Sequence, residues 1–200
     1  MLARRALLLG LMAPSAVMAQ EGPAAPIAAF NAALQRGMKA GQATSFAARA
    51  AMLRPAVERA FDLPGILAAS VGPRFAGFAE TAKAELQEAF TVFTVATWVA
   101  NFDADAGERF EVAAETRALG QDQVVTSRIV PASGEATRLD FVMRQGPQGW
   151  KAVDILLNGT ISRVAVQRSD FRALVAGGDP APLLASLRSR AASLAAGAKS

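Results

Sequence analysis

The chain has 200 residues with 21 basic and 17 acidic side chains, a formal charge of +4 at neutral pH. Cys, His and Tyr are all absent, which removes disulfides, thiol nucleophiles, a lipid-attachment cysteine, the usual general base and the commonest nitrogen ligand for a metal. A charge so near balance also argues against the concentrated basic surface that binding to nucleic-acid phosphates requires.

The first nineteen residues, MLARRALLLGLMAPSAVMA, join Arg4 and Arg5 to an apolar run from Ala6 to Ala13, with small residues at Ala16 and Ala19. That pattern predicts a secretory signal peptide over 1–19 cleaved after Ala19. The run is broken by Pro14, well short of the roughly 20 apolar residues that span a bilayer. Loss of Arg4 and Arg5 leaves 19 basic against 17 acidic residues, a charge of +2. Residues 20–200 are expected to form a single domain, large enough to bury a core.

Beyond Pro26 the period is helical. Ile27, Phe30, Leu34 and Met38 share one face of a helix that ends near Gly41. A second helix is expected from Ser45 to Arg54, with Pro55 opening the next. In Phe61-Asp62-Leu63-Pro64, Asp62 suits a cap and Pro64 a first helical turn, and Val71-Gly72-Pro73 ends the helix so begun. A longer helix runs from Phe78 or Ala79 to about Phe102, with Leu86, Phe90, Phe93 and Thr97 on one face and Val92, Val95, Trp98 and Val99 over much of the rest. A helix apolar on most of its circumference must be covered on more than one side, by sheet and a ligand cavity or by a second layer of helices.

After Gly107 the period changes to two. Phe110 to Leu119, Gln123 to Val130, Thr137 to Arg144 and Trp150 to Leu157 are four predicted strands, and their short connections make an antiparallel meander. Helical spacing resumes at Thr160 through Ile161, Val164, Arg168, Phe171 and Val175. A last helix starts at Asp179-Pro180, with an Ala-rich tail after Arg190 that is expected to fray. The fold class is therefore α+β, with helices packed around a twisted antiparallel sheet of about four strands.

Catalytic parts are hard to assemble from what remains. Asp103, Asp105, Glu108 and Glu111 lie close together but lack the full calcium-loop pattern, so a solvated turn is the simpler reading and no metal site is assigned. Asp154 sits in an apolar strand and needs a partner, either an arginine such as Arg163 or Arg168 or the backbone N–H groups that open the next helix. Ser127 and Ser162 have no nucleophile elbow around them, and no phosphate-cradling glycine motif occurs. No catalytic residue is assigned and no cofactor is expected.

Gly149-Trp150-Lys151-Ala152-Val153-Asp154, then Gly159-Thr160-Ile161-Ser162 and Arg168-Ser169-Asp170-Phe171, resemble the MlaC or toluene-tolerance family of periplasmic lipid-binding transport proteins. Phe61-Asp62-Leu63-Pro64, Val71-Gly72-Pro73 and Gly107-Glu108-Arg109-Phe110-Glu111 are similar to its hopanoid-associated, HpnM-like branch, and the likeness runs from about Ile27 to Arg190. Phe75 stands where the family often has Trp, and Trp98 and Phe102 stand where relatives often place Tyr, so a phenolic hydroxyl is missing.

The resemblance implies a lipid cavity between helices and sheet, and a soluble carrier that moves a phospholipid or a hopanoid-type lipid through the periplasm. Its partners would be an inner-membrane lipid transporter and an outer-membrane complex, with bound lipid as the ligand. Candidate lipid-binding residues are Phe61, Leu63, Ile66, Leu67 and Val71 near the shorter helix and Phe90, Phe93, Val95, Trp98 and Val99 on the long one. The sheet adds Phe141, Met143, Ile155 and Leu157, and the returning helix Ile161, while Lys151 or Arg163 at a mouth would meet a phosphate or remain solvated. Two rival functions stand beside this one: a lipid-free adaptor for protein partners, and an enzyme using the same pocket.

Overall fold

Ile27, Phe30, Ala33, Leu34 and Met38 are all buried along one side of α1 (Ala25–Ala40), which Pro26 opens and Gly41 closes. The computed structural model describes residues 22–197, so the expected signal peptide and its cleavage after Ala19 lie outside the described residues. α1 is tied to the sheet by a buried hydrogen bond in which the Asn31 amide donates to Ser127 Oγ at 3.0 Å.

The second helix does not break at Pro55. Instead, α2 runs unbroken through Phe46–Ala60 with the proline inside it, capped at its start by Ser45 Oγ, which accepts from Ala48 N–H. An interior proline removes one helical hydrogen bond and costs about 3 kcal/mol. Ala51, whose carbonyl is the one left without that donor, and Pro55 itself are both exposed, on the side of the helix where solvent can satisfy a free acceptor. Leu53, Val57 and Ala60 on the opposite face are buried and hold the helix together.

Phe61 and Asp62 then join the helical half to the sheet. Phe61 forms an isolated parallel bridge with Ala152, and Asp62 N–H donates to the Ala152 carbonyl at 2.9 Å. Asp62 also caps α3 (Leu63–Val71), its Oδ1 accepting from Gly65 N–H at 3.1 Å. Gly72, at φ +79°, ends α3 in a conformation that side chains with a Cβ rarely adopt. A short 3₁₀ turn over Pro73–Gly77 leads to α4 (Glu80–Asn101), the long helix.

The sheet follows as β1 (Arg109–Leu119), β2 (Asp122–Val130), β3 (Thr137–Gly146), β4 (Gly149–Leu157) and β5 (Ile161–Ser162), neighbours in that order and antiparallel throughout. The sheet therefore has five strands rather than about four. β5 is only two residues long, and its Ile161 is 51% exposed, so no alternation marks it in the sequence. Ser162 accepts from Ala165 N–H and so caps α5 (Arg163–Leu174), which starts three residues later than its periodicity predicts. α6 (Ala181–Ala195) does not fray after Arg190, because Ala191 and Leu194 are buried against the rest.

A register shift in the β3–β4 pairing decides which way β4 points. Met143 pairs with Ala152 but Val142 pairs with Asp154, leaving Val153 as an extra residue. Side chains alternate across a strand, so one extra residue exchanges the faces of everything beyond it. Ala152 faces the helices before the bulge; after it, Ile155 and Leu157 do, opposite Phe141 and Leu139. Around α4, the sheet and α3 lie to one side and α2 and α6 to the other. The helix is thus covered by the sheet and α3 on one side and by a second layer of helices on the other, rather than by sheet on one side and a cavity opposite.

Asp140, on the other face of β3, has no exposed surface. Burial pushes its carboxyl pKa up, but hydrogen bonds from Arg138 (2.8 and 2.6 Å) and Thr126 (2.8 Å) outweigh that and hold it below the usual carboxylate range. A depressed folded-state pKa contributes stability above the unfolded value of about 3.9 and loses it as pH falls through the folded value. We expect Asp140→Asn to cost about 1–3 kcal/mol at neutral pH. Its melting temperature should also fall less steeply than that of the parent protein as pH drops below about 4. Thermal melts across that range check this, and parallel curves would refute it.

Candidate functional site

The space left between α4 and the sheet is a cavity of about 360 Å³, within the roughly 300–1,000 Å³ typical of small-ligand sites. Its inner walls are Phe61, Leu63 and Ile66 at the start of α3 and Phe90 and Phe93 on α4, all buried. Half-buried Ile129, Leu139, Ile155 and Leu157 supply the sheet side, with Thr94, Thr97, Trp98 and Phe102 along α4. Val164 and Gln167 of α5 close one flank, while Asn101, Thr137 and Arg163 are exposed at the rim.

Aromatic rings fix the shape of the wall. Phe30 meets Phe61 edge-on at 5.2 Å and Trp98 edge-on at 4.9 Å, and Trp98 stacks on Phe102 at 5.7 Å. Phe61 lies 6.2 Å from Trp98 on α4 and 6.1 Å from Phe141 on β3, so its ring stands between helix and sheet. Edge-to-face contacts of this kind add about 0.5–1.5 kcal/mol each beyond burial, and they hold the rings in place whether or not the cavity is filled.

Asp154 is the carboxylate in the lining, and three donors engage it. It accepts from its neighbour Ile155 N–H at 2.7 Å, from Ser162 Oγ and from Val164 N–H at 3.1 Å. Of the two partners open to it in sequence, the backbone at the start of α5 is the one it takes. The three hydrogen bonds to Asp154 tie β4 to β5 and to the start of α5. Farther along, Asp105 and Glu108 accept from Gly107 and Ala106 N–H groups and so shape the turn between α4 and β1.

Of the residues singled out in sequence, Phe61, Leu63, Ile66, Phe90, Phe93, Trp98, Ile155 and Leu157 border this cavity with Arg163 at its rim, whereas Lys151 donates to the Glu58 carbonyl at 3.1 Å away from it. The others lie elsewhere. Leu67 has no exposed surface and Val71 is buried farther along α3, beyond the turn that meets the cavity. Phe141 and Met143 share the inward face of β3 with Leu139, but the α2–α3 junction covers them: Phe61 packs over Phe141, and Met143 pairs with the Ala152 to which that junction is bonded. Val95 turns toward α2 and α6, Val99 packs beside Leu53 and Arg49, and Ile161 faces solvent. Ile129, Leu139 and Phe102 were not among those candidates. Leu139 could have been found from alternation alone, being two residues before Phe141, whereas Gln167 follows Arg163 by one helical turn.

A second hollow of about 730 Å³ lies on the far side of α4, floored by alanines of α2, α4 and α6. Charged residues at its edge pair with one another, Arg54 with Glu88 at 2.7 Å and Arg188 with Glu85 at 3.2 Å. These pairs clamp α2 and α6 to α4, and the hollow carries no convergent polar groups of its own.

A family model described as MlaC protein matches residues 29–189. No curated protein matches the chain in sequence. Among solved structures, the phospholipid-binding protein from Ralstonia solanacearum in complex with a phospholipid superposes with a TM-score of 0.75 at 18% identity, covering 88% of this chain and 99% of that one. At that identity the likeness establishes the shared α+β fold.

The positions of Phe93 and Leu67 give a direct test of which apolar residues face the cavity. Burying a carboxylate in closed packing costs several kcal/mol, a large part of the 5–15 kcal/mol that holds a typical domain together. Leu67→Glu should therefore leave the protein unfolded, while Phe93→Glu, whose carboxylate can be hydrated within the cavity, should fold with a modestly lower melting temperature. Circular dichroism distinguishes the two, and equal unfolding of both would place Phe93 in the core.

Proposed function

The chain belongs to the MlaC family, and from that premise we propose that it is a lipid carrier whose ligand inserts its hydrocarbon into the cavity between α4 and the sheet. The observation that carries this reading is the cavity itself, apolar inside, polar at the rim and formed by residues from both halves of the fold. A lipid with two chains of about sixteen carbons carries on the order of 25 kcal/mol of hydrophobic free energy at about 0.8 per methylene. Moving it through water therefore requires a protein that hides most of that surface.

The protein works in the periplasm after export through its N-terminal segment, taking lipid from one membrane complex and giving it to another without covalent chemistry. An inner-membrane lipid transporter and an outer-membrane complex are its partners. Phospholipid is the first choice of ligand, supported by the phospholipid held by the Ralstonia solanacearum protein of the same fold. A hopanoid-type lipid is the second, favoured by the aromatic rings of Phe61, Trp98 and Phe102 in the lining. Against an enzyme stand the absence of His, Cys and Tyr and the structural engagement of Asp154 by three donors. A lipid-free adaptor would have no use for a pre-formed apolar cavity.

Gentle purification without detergent, followed by mass spectrometry of an organic extract, tests the proposal. The carrier reading expects close to one lipid per protein, or uptake of lipid from vesicles by protein purified empty. Protein that is lipid-free and takes up none would leave the adaptor standing.

A further inference from the structure

The depth and the volume of the cavity between α4 and the sheet both correspond to one hydrocarbon chain. We infer that it is a slot for a single acyl chain, entered methyl end first and closed at its deep end by Phe90, so that the lipids it fits carry one chain rather than two. This rests on the carrier reading above and narrows its ligand to monoacyl lipids of limited chain length.

Asn101 is exposed at the rim, and Phe90, buried, is the α4 residue of the lining farthest from it. The two stand about three turns of helix apart, roughly 16 Å. The hydrocarbon core of a bilayer is roughly 30 Å thick, so one leaflet, and one acyl chain within it, spans about 15 Å. The cavity is therefore as deep as one chain is long.

Volume leads to the same amount of hydrocarbon. An apolar cavity of roughly 150 Å³ holds one benzene ring of six carbons, which sets about 25 Å³ per carbon. A cavity of about 360 Å³ thus holds roughly fourteen carbons, whereas two chains of sixteen would need about 800 Å³. The surrounding structure offers no space for the remainder. Leu63 and Ile66 of α3 are buried beside Phe90 in the inner wall, and Leu86, the next turn of α4 beyond Phe90, has no exposed surface and lies outside the lining. The Trp98 ring is held by Phe30 at 4.9 Å and Phe102 at 5.7 Å, so that wall is braced against widening. The hollow across α4 is a separate space, bordered by Val95 and Ala96 and not by the cavity residues. A second chain would stay in water and keep its apolar surface exposed.

The full chain, stripped of lipid, is titrated with monoacyl phosphatidylglycerols whose chains run from ten to eighteen carbons, below their critical micelle concentrations. Tryptophan fluorescence reports binding, since Trp98 lies in the lining. Affinity should rise about fourfold per carbon while the chain is still entering and level off near about fourteen carbons. A rise that continues through eighteen carbons would overturn the slot. Phe90→Val should move the plateau to longer chains. Thr94→Phe, which adds a ring to the lining about two turns from the rim, should move it to shorter ones. Thr94 is half-buried and outside the closed core, so this variant carries the test if Phe90→Val does not fold. A plateau unmoved in folded Phe90→Val would remove Phe90 as the stop, and one unmoved by Thr94→Phe would place the chain elsewhere. Val92→Ala, on the other side of α4, should leave the plateau where it is. In a second arm, vesicles containing equal moles of palmitoyl monoacyl and dipalmitoyl phosphatidylglycerol supply the lipid, and mass spectrometry of the bound fraction should show the monoacyl form enriched by more than about tenfold. Equal uptake, or preference for the diacyl lipid, would overturn the single-chain slot while leaving the carrier intact. Uptake of neither would overturn the carrier reading itself.

Discussion

Phe61 is the residue on which the cavity depends. Its backbone is bridged to Ala152 of β4 and its ring stands between Trp98 of α4 and Phe141 of β3. Apolar surfaces left to themselves close up, since dense packing is what makes burial favourable. A rigid ring held from two directions prevents the sheet from collapsing onto α4, and the edge-on contact with Phe30 at 5.2 Å prevents that ring from turning aside. Behind Phe61 the interior is continuous core; in front of it the walls stay apart. The same side chain thus contributes to stability on one side and creates binding space on the other.

A second set of contacts fixes the open end. The extra residue in β4 turns Ile155 and Leu157 toward the helices, and Asp154 beside them reaches the start of α5. Its hydrogen bond from Ser162, whose oxygen in turn caps the helix through Ala165 N–H, links the bulge, the two-residue β5 and α5 in one chain of polar contacts. Farther along, Ser70 of α3 and Gln167 of α5 are joined across the flank of the cavity. α5 buries Phe171 and packs Val164 and Leu174 against the core, and these polar contacts fix its start beside the cavity. The rim is therefore positioned by hydrogen bonds and the floor by ring packing.

Much of this was legible in the sequence because periodicity reports which face of an element is covered. The α4 pattern predicted cover on two sides, and Asp62 and Pro64 marked the start of α3. What periodicity does not report is what does the covering. Phe141, Met143 and Leu139 occupy the same face of β3, yet only Leu139 reaches the cavity, because the α2–α3 junction, distant in sequence, lies over the other two. Likewise the bulge at Val153 depends on pairing with β3, and the persistence of α2 through Pro55 depends on solvent at Ala51 and burial of Val57. Each of these is a tertiary effect that overrides a local preference.

The central claim is that hydrocarbon occupies the space in front of Phe61 and not the hollow across α4. A phosphatidylglycerol carrying a photoreactive diazirine at the end of one acyl chain tests this most directly, with crosslinked residues mapped by peptide mass spectrometry after loading and irradiation. The account predicts adducts at the buried walls, on Leu63, Ile66, Phe90 or Phe93. Adducts concentrated on Phe46, Ala50, Val92 or Ala192 around the other hollow would contradict it.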